Sequence, residues 1–192
     1  MEVDSLLSIL HVAERLKDAT RHCYTSGGRH ESVAEHSWRI SLFAFFLRDE
    51  FPDLDMDKVI RMCLIHDLGE CFTGDIPTFL KTDSDVGKED DLLARWVDTL
   101  PEPYCSDMTA LYAEMNALET EEAKLYKALD KLEAVIQHNE SPLDTWLPLE
   151  YELNLTYGEQ NVAFSPYLKE LRAAVRKDTE RKIAEGTGCK KQ

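Results

Sequence analysis

Glycine and proline are scarce in this sequence, with 8 and 7 among 192 residues. Tight β-turns depend on these two residue types, so their scarcity argues against many short strands and favours helices. Basic residues are few as well: 22 Lys and Arg stand against 37 Asp and Glu, which gives a formal net charge of −15. Such a charge repels phosphate backbones, and we expect no nucleic-acid polymer as the main partner. A bound phosphate must then be held locally, by a cationic side chain or a metal.

Cysteine and long apolar runs are also limited. The five cysteines are odd in number and none are spaced as CxxC, which argues against a disulfide framework and against a thiolate zinc ribbon. Reduced cysteines are typical of the cytoplasm, which is the location we expect. The most apolar stretch, residues 40–47, is far too short to cross a membrane. The first residues, MEVDSLLSIL, contain no basic segment, and we expect no signal peptide and no membrane partner.

Apolar residues recur at spacings of three and four along most of the chain, which is typical of amphipathic helices. This spacing predicts a first helix that begins at a cap on Asp4 or Ser5, and a second helix over residues 32–49. Ser32 and Glu35 have the spacing of a capping box, in which each side chain hydrogen-bonds the backbone of the other residue. The second helix should therefore begin at Ser32.

The same spacing and further caps predict the remaining helices. Asp55 and Thr120 each precede an apolar repeat and are predicted helix caps. A third helix is predicted to begin at Asp55 and to continue until Gly69 interrupts its apolar repeat. Further helices are predicted over 92–97, 108–117, 121–138 and 167–175.

Polar stretches separate these helices. Residues 21–31, which contain two adjacent glycines, and the acidic residues 81–91 are predicted to be loops. No run with the two-residue period of a strand exceeds four residues. We therefore predict one all-α domain over residues 1–185, followed by a flexible tail over 186–192.

Four residues able to bind a metal lie on three of the predicted helices. His36 is one turn into the second helix, His66 and Asp67 are adjacent near the end of the third, and Asp130 lies among apolar neighbours in KALDKLEAVI. An acid in such a setting is costly unless it is paired or binds a cation. Two imidazoles and two carboxylates suit a borderline divalent metal: Mn, Fe, Co, Ni or Zn.

Plainer interpretations of these residues stay open at this point. An adjacent histidine and aspartate often form a solvated ion pair on a helix surface. Asp130 is also placed to form a salt bridge with Lys127 or Lys131.

The order ESVAEHS, HDLGE, TGDIP and ALDKLEA resembles the HD-domain metal-dependent phosphohydrolases, and most closely their 5′-deoxynucleotidase branch. The similarity covers residues 1–140, and HDLGE followed at short spacing by TGDIP is its most specific part. The resemblance implies a helical HD-domain bundle, a homodimer and a small-molecule nucleotide substrate. It makes His36, His66, Asp67 and Asp130 the ligands of one divalent metal, which lies between the helices.

Two acids near HDLGE are candidates for catalysis. Glu70 follows His66 by four residues, so it shares a helical face if the helix continues. A carboxylate beside a metal-bound water can take or give a proton, and the resemblance makes Glu70 the general acid/base. Asp75 resembles the residue that holds the sugar and the leaving oxygen. The plainer interpretations are an exposed helix-end glutamate and a turn-forming aspartate.

Three residues resemble the substrate-binding residues of the branch. Arg21 precedes His36 by fifteen residues, the spacing of an arginine that grips the 5′-phosphate, and a forked guanidinium suits that role. His22 stands where the bacterial deoxynucleotidases carry a tryptophan that packs on the sugar, which predicts weaker selectivity for deoxyribose. Glu114 resembles a further acid on the substrate side.

For several other residues the sequence leaves two interpretations open or favours a role outside the site. Arg29 and His30 are extra phosphate contacts or, more simply, solvated loop residues. Four aromatic residues of the second helix are core or subunit-contact residues: Trp38, Phe43, Phe45 and Phe46. His11 and His138 are expected to be surface histidines.

The sequence thus predicts a phosphohydrolase that releases phosphate from deoxynucleoside or nucleoside 5′-monophosphates. By the resemblance, one divalent metal polarises the phosphoryl group, and a hydroxide formed from its bound water attacks phosphorus in line. Two alternatives stay open. One is an HD-domain hydrolase of a nucleoside polyphosphate or a cyclic nucleotide, and the other is a non-catalytic module that senses nucleotides or metals.

Overall fold

The computed structural model describes residues 1–189, with side chains to residue 186. It confirms the all-α prediction, apart from a small two-stranded ribbon of β1 (Thr20–Tyr24) and β2 (His30–Ser32). The α-helices, in chain order, are α1 (Val3–Glu14), α2 (Val33–Phe46), α3 (Met56–Ile65), α4 (Glu70–Thr73), α5 (Asp83–Val97), α6 (Tyr104–Ala117), α7 (Glu121–Glu140), α8 (Glu150–Thr156) and α9 (Pro166–Cys189). Single 3₁₀ turns lie at Arg15–Lys17, Arg48–Glu50 and Leu143–Thr145. Of the predicted tail, residues 190–192 lie outside the described residues, so its flexibility stays a prediction.

Helix α7 is the centre of the core. It packs against α2, α3, α6 and α9, and also against β1. Leu125, Leu129 and Leu132 of this helix are fully buried, and they meet Ile40 of α2 and Met62 of α3. Full burial of one such side chain contributes roughly 1.5–3 kcal/mol. The packing therefore fixes α2, α3 and α7 side by side. His36 and Asp130 lie on α2 and α7, and His66 and Asp67 directly follow α3.

The helix caps confirm most of the predicted helix starts. The Ser32 hydroxyl accepts from the Glu35 backbone N–H, while the Glu35 carboxylate accepts from the Ser32 N–H. Asp55 caps α3, and Thr120 caps α7 in the same way. The cap predicted for α1 is wrong, because Asp4 lies inside that helix and no side chain caps its start.

The first predicted loop, residues 21–31, is wrong. Its two halves pair as the antiparallel strands β1 and β2, and Gly28 supplies the positive φ of +80° that the connecting turn requires. The glycine pair does exclude a helix, as predicted. The strands are too short to show a two-residue period in the sequence.

The second predicted loop, residues 81–91, is also wrong, since it forms most of α5. Thr82 and Asp85 make a capping box, and Asp83 and Asp85 lie in the first turn, at the positive end of the helix. Helix α5 lies close to the turn before α4: a side chain at Gly69 would come within 2.7 Å of Glu89. Helix α8 was not predicted either.

Apolar residues of α1 and α2 face outward. Trp38, Phe45 and Phe46 are exposed, so they are not core residues, and subunit contact stays their predicted role. Phe43 packs against the core. Helix α1 has no buried residue. Within the described part of the chain, no helix combines the length and apolar character that a membrane span requires. Cys23, Cys63, Cys71 and Cys105 are free thiols.

Candidate metal centre

The first turn of α2, the segment after α3 and the middle of α7 bring the four predicted metal ligands together. One ligand atom each from His36, His66 and Asp67 lies within 4.8 Å of the others. Asp130 joins them, with its Oδ1 3.4 Å from His36 Nε2. We call these four residues the metal centre. The two imidazole rings lie 5.2 Å apart between centroids, and every member is buried or half-buried.

His66 lies directly after the end of α3, in a turn closed by hydrogen bonds from each N–H to the carbonyl three residues back. Its Nδ1–H donates to the Cys63 carbonyl over 2.9 Å, which leaves the lone pair on Nε2. This Nε2 is buried without a hydrogen bond, although Asp67 Oδ2 is 2.9 Å away. A buried nitrogen with a free lone pair, beside a carboxylate oxygen, is the arrangement expected of a metal ligand.

His36 is oriented by a residue that the sequence analysis missed. Its Nδ1 lies 2.5 Å from Glu133 Oε2, and both side chains are 1% exposed. The contact fixes the ring so that Nε2 faces Asp67 and Asp130. A signal was present, because Glu133 follows Asp130 by three residues and therefore shares its face of α7.

Asp130 has two sets of partners, one through each oxygen. Oδ1 faces His36, while Oδ2 lies 2.9 Å from Lys127 Nζ and 3.4 Å from Lys131 Nζ. Both salt bridges considered as alternatives to metal binding are therefore present, and they coexist with the contact to His36. The Asp130 charge raises the pKa of Lys127, which stays protonated. The two lysines also fix the carboxylate with one oxygen turned inward.

The charge of the centre favours a cation. Burial and Arg21 act against a charged imidazole at His36, yet Glu133 and Asp130 outweigh them and raise its pKa to about 9. Burial also opposes ionisation of Asp67, but His66 and His36 hold the pKa of Asp67 well below its usual range. The carboxylates thus stabilise positive charge among them, and the two-imidazole, two-carboxylate donor set fits a divalent metal.

Glu70 is buried, at 6% exposure, which excludes an exposed helix-end glutamate. The reasoning that placed it on the face of His66 fails, because α3 ends at Ile65 and α4 begins at Glu70. It still lies near the centre: burial first, and then the charges of Asp67 and Asp75, raise the pKa of Glu70 to about 10. Its Oε2 is buried without a hydrogen bond. A carboxyl group in this setting holds a proton at neutral pH.

Arg21 of β1 lies behind His36. Its Nη1 donates to Glu31 Oε2 over 2.7 Å and to Glu133 Oε2 over 3.3 Å. Glu31, which the sequence analysis also missed, is 3% exposed. Within the described residues, Nη2 and Nε of Arg21 form no hydrogen bond. The guanidinium is thus anchored through one nitrogen and keeps two for another ligand.

His22, next to Arg21 in β1, belongs to a second group of titratable residues, which we call the His22 cluster: His22, His138 and Glu150. His22 Nε2 lies 2.7 Å from Glu150 Oε1, and His138 Nε2 lies 3.5 Å from the same oxygen. His138 is 8% exposed, so the prediction of a surface histidine is wrong. Burial lowers the pKa of His138 to about 4, which keeps its ring neutral.

Asp75 lies on the side of the metal centre that faces β1. Burial, with Asp67, raises its pKa, while Arg21 and His22 act in the opposite direction. It follows Gly74, whose φ of +72° turns the chain sharply after α4. These charge interactions place Asp75 near both Arg21 and His22, and its role at the sugar and the leaving oxygen stays a prediction.

Glu114 lies elsewhere. Its carboxylate is 2.8 Å from Lys58 Nζ and accepts a hydrogen bond from the Thr120 hydroxyl over 2.5 Å, at the starts of α3 and α7. Its contacts do not include the metal centre. Arg29 and His30 are exposed, in line with the simpler interpretation of solvated residues, and Arg29 pairs with Glu35.

A cavity of about 280 Å³ opens on the other side of His66, between α5, α6 and α7. Glu89, Asp90 and Asp98 line it, and no described Lys or Arg does. The acidic lining repels a phosphate. The side that carries Arg21 is therefore the better place for a phosphorylated substrate.

The chain is similar to known proteins along most of its length. The family model described as HD domain matches residues 13–172. The human protein 5′-deoxynucleotidase HDDC2 is 30% identical over 140 residues, which are 71% of this chain and 68% of that protein. The Saccharomyces cerevisiae 5′-deoxynucleotidase YBR242W is 28% identical over 147 residues, 69% of this chain and 58% of that protein. A crystal structure of a predicted metal-dependent phosphohydrolase from Magnetospirillum magnetotacticum is 28% identical, with a TM-score of 0.78 over 94% of this chain and 96% of that one.

Proposed function

From the premise that this chain belongs to the HD-domain family and is a hydrolase, we propose that it releases orthophosphate from deoxynucleoside 5′-monophosphates. The single observation that carries the proposal is the metal centre: buried imidazole nitrogens, fixed by Cys63 and Glu133, converge with the carboxylates of Asp67 and Asp130. The relatives named as 5′-deoxynucleotidases supply the substrate class.

The metal centre would hold one divalent cation, from among Mn, Co, Fe, Ni and Zn, through His36, His66, Asp67 and Asp130. A cation bound there polarises a phosphoryl oxygen and makes a water molecule acidic. Within the chain, the carboxylate of Glu133 keeps His36 in the orientation that ligation needs, and Lys127 and Lys131 do the same for Asp130.

Arg21 would bind the phosphate of the substrate. Its Nη1 is held by Glu31 and Glu133, and its Nη2 and Nε can donate to two phosphate oxygens. Arg21 also interacts electrostatically with Asp67, so its charge lies near the metal centre. In a chain of net charge −15, a cation fixed at this place gives a phosphate a local site.

Glu70 would transfer the proton. Its raised pKa means that it enters the reaction protonated, so it can donate to the 5′-oxygen of the departing nucleoside. Its burial beside Asp67 places the proton next to the ligands and away from bulk water. Asp75 would orient the sugar.

His22 would lie beside the sugar, at the place where the bacterial relatives carry a tryptophan. Because Glu150 occupies Nε2 of this ring, only Nδ1 remains for a sugar hydroxyl. An imidazole is smaller than an indole and able to hydrogen-bond a 2′-hydroxyl, so we propose modest selectivity between deoxyribose and ribose.

A homodimer in the cytoplasm completes the proposal. The exposed Trp38, Phe45 and Phe46 of α2 support a subunit contact, since a large apolar patch on a protein surface often marks an interface. The oligomeric state is measured by light scattering of the wild type and of Phe46→Glu, which is expected to dissociate the dimer.

The experiment that tests the activity is a panel of metals and substrates. Metal-stripped protein is loaded with Mn²⁺, Co²⁺, Fe²⁺, Ni²⁺ or Zn²⁺ and supplied with deoxynucleoside and nucleoside monophosphates, triphosphates and cyclic nucleotides. Orthophosphate from monophosphates is the expected product.

Other outcomes identify the alternatives. Pyrophosphate or a linear nucleotide as the product would replace the proposal with another HD-domain reaction. Nucleotide binding without turnover under every metal would identify a sensing module. Glu119→Gln is the matched control variant throughout, since Glu119 is exposed and its loss leaves the centre intact.

A further inference from the structure

The proposed reaction uses His22 only beside the sugar and gives His138 and Glu150 no part. We propose that the His22 cluster is a second divalent-cation site, separate from the metal centre, which takes a borderline ion such as Zn²⁺.

The donor atoms suit such an ion. Two imidazole nitrogens and one carboxylate oxygen, all within 4.8 Å of one another, form a set of three ligands. The distances from Glu150 Oε1 to the two Nε2 atoms are 2.7 and 3.5 Å. Zinc ligands lie about 2.0–2.2 Å from the ion, so these atoms can surround one with small side-chain movements. Two histidines, one glutamate and an open position make a known type of zinc site.

His138 supplies an independent reason to expect a ligand. The imidazole is nine-tenths buried, and within the described residues it forms no hydrogen bond. Its Nδ1 has no partner, and its Nε2 faces Glu150 across 3.5 Å. Buried polar groups in native proteins are nearly always hydrogen-bonded or bound to an ion. An ion bound between His138 Nε2 and Glu150 Oε1 would give this ring one partner, through Nε2.

The space beside the cluster fits an ion and its water. A cavity of about 50 Å³ is bordered by all three residues. One water molecule needs at least about 10–15 Å³, so the cavity admits an ion with a water molecule but not a nucleobase. The buried amide nitrogen of Asn154 borders the same cavity without a hydrogen-bond partner. A water on the open position would have that amide as a neighbour.

The nearby charges allow a cation. Glu150 is 1% exposed, and its Oε2 accepts from the Leu147 backbone N–H over 2.7 Å, which leaves Oε1 for the ion. The neighbouring Arg21 is already paired with Glu31 and Glu133. An ion would join β1, α7 and α8, three elements that are distant in the chain. It would hold the strand that carries Arg21 against the bundle.

The test counts metal ions by equilibrium dialysis and elemental analysis, and does not rely on phosphate release. Asp67→Ala removes a ligand of the metal centre. His22→Gln removes a ligand of the His22 cluster, while its amide can still donate to Glu150. The matched control is His11→Gln, since His11 is exposed on α1. All proteins are loaded with Zn²⁺ and, separately, with Co²⁺, whose absorption spectrum reports bound nitrogen and oxygen ligands.

The wild type and His11→Gln are expected to bind two ions per chain, and Asp67→Ala and His22→Gln are expected to bind one each. The double variant that combines Asp67→Ala with His22→Gln is expected to bind none. Zn²⁺ is expected to raise the melting temperature of Asp67→Ala, and this rise should vanish in the double variant. One ion in the wild type with none in Asp67→Ala would overturn the second site. An ion retained by the double variant would also overturn it. Either result leaves the proposed phosphatase activity to be judged by its own assay.

Discussion

The metal centre and the His22 cluster are built from the same residue types, yet the chain assembles them differently. The metal centre takes its residues from α2, α7 and the end of α3, three helices that pack on one another through a continuous core. The His22 cluster takes His22 from a two-stranded ribbon and Glu150 from a helix of seven residues. The comparison teaches that donor atoms alone do not separate a reaction centre from a structural site. Their neighbours differ: the proton-holding Glu70 lies beside the metal centre, whereas Arg21 and Asp75 interact with members of both groups.

Substitution of Asp67 should have the largest effect on activity, because it tests the comparison of the two clusters most directly. Asp67→Ala should abolish phosphate release and remove the ion of the metal centre, since it deletes a ligand. Activity and bound metal are measured on the same preparations. Asp57→Ala, on the exposed first turn of α3, is the control and should keep both. Full activity with an unchanged metal content in Asp67→Ala would show that Asp67 is neither a metal ligand nor needed for the reaction. The metal centre could then not be distinguished from the His22 cluster as the place of the reaction.

Glu70 should show the next largest effect, because it acts on the proton and not on the ion. Glu70→Gln keeps the size of the side chain but cannot donate a proton, and kcat should fall by about 10²–10⁴-fold, the usual range for a general acid. Metal content and substrate binding should stay as in the wild type. The fall in rate at alkaline pH that the wild type shows should be absent from the pH–rate profile of Glu70→Gln. A fall of less than about threefold would exclude Glu70 from the mechanism.

Arg21 links the two clusters, and its substitution should have an intermediate effect. Arg21→Ala should lower kcat/KM for monophosphates by roughly ten- to a hundredfold, since a charged hydrogen bond contributes about 1.5–3 kcal/mol. Arg21→Lys should recover part of this, because an ammonium lacks the forked geometry. Arg29→Ala, in the same ribbon but exposed, is the control. Equal losses for lysine and alanine with unchanged KM would show that Arg21 only supports Glu31 and Glu133.

The effect of His22→Trp on sugar selectivity should be the smallest of the four. It is read as a ratio of two substrates, so that a loss of the ion proposed for the His22 cluster, which would affect both substrates alike, cancels. His22→Trp should raise the preference for deoxyribose over ribose by about two- to tenfold, the range of one neutral hydrogen bond. The measurement is kcat/KM for matched deoxynucleoside and nucleoside monophosphates in both proteins. A strong deoxyribose preference in the wild type, unchanged by the tryptophan, would place sugar selection outside the His22 cluster.

The parts of the molecule that the sequence predicted are those governed by local rules. Ser32, Asp55 and Thr120 cap helices because a short polar side chain satisfies free N–H groups wherever an amphipathic helix follows. These caps place His36 and Asp130 on the correct faces, and HDLGE carries His66 and Asp67 at the end of a helix whose apolar period is clear. The positions of these residues on the helices follow from local rules, whereas their assignment as metal ligands follows from the resemblance to the HD-domain family and stays a prediction.

The parts that were missed depend on contacts distant in the chain. Glu31, Glu133 and Glu150 are acids whose burial comes from partners elsewhere in the sequence: Arg21, His36 and His22. Residues 81–91 were mistaken for a loop because their acidic composition outweighs the apolar period, whereas a capping box decides the structure. His138 resembled a surface residue because the ribbon and the short α8 that cover it have no periodic pattern.

Helix α7 carries Asp130 and Glu133 for one cluster and His138 for the other. The step of eight residues from Asp130 to His138 corresponds to about 12 Å along the helix axis. One residue inserted or deleted between Glu133 and His138 would turn all later side chains by about 100°, so one cluster would keep its register while the other lost a member. The number of residues between Glu133 and His138 is thus constrained, although no individual side chain in that segment is required. Homologous chains that keep both clusters should vary freely in the loops around α7. The number of residues between Glu133 and His138 should stay the same.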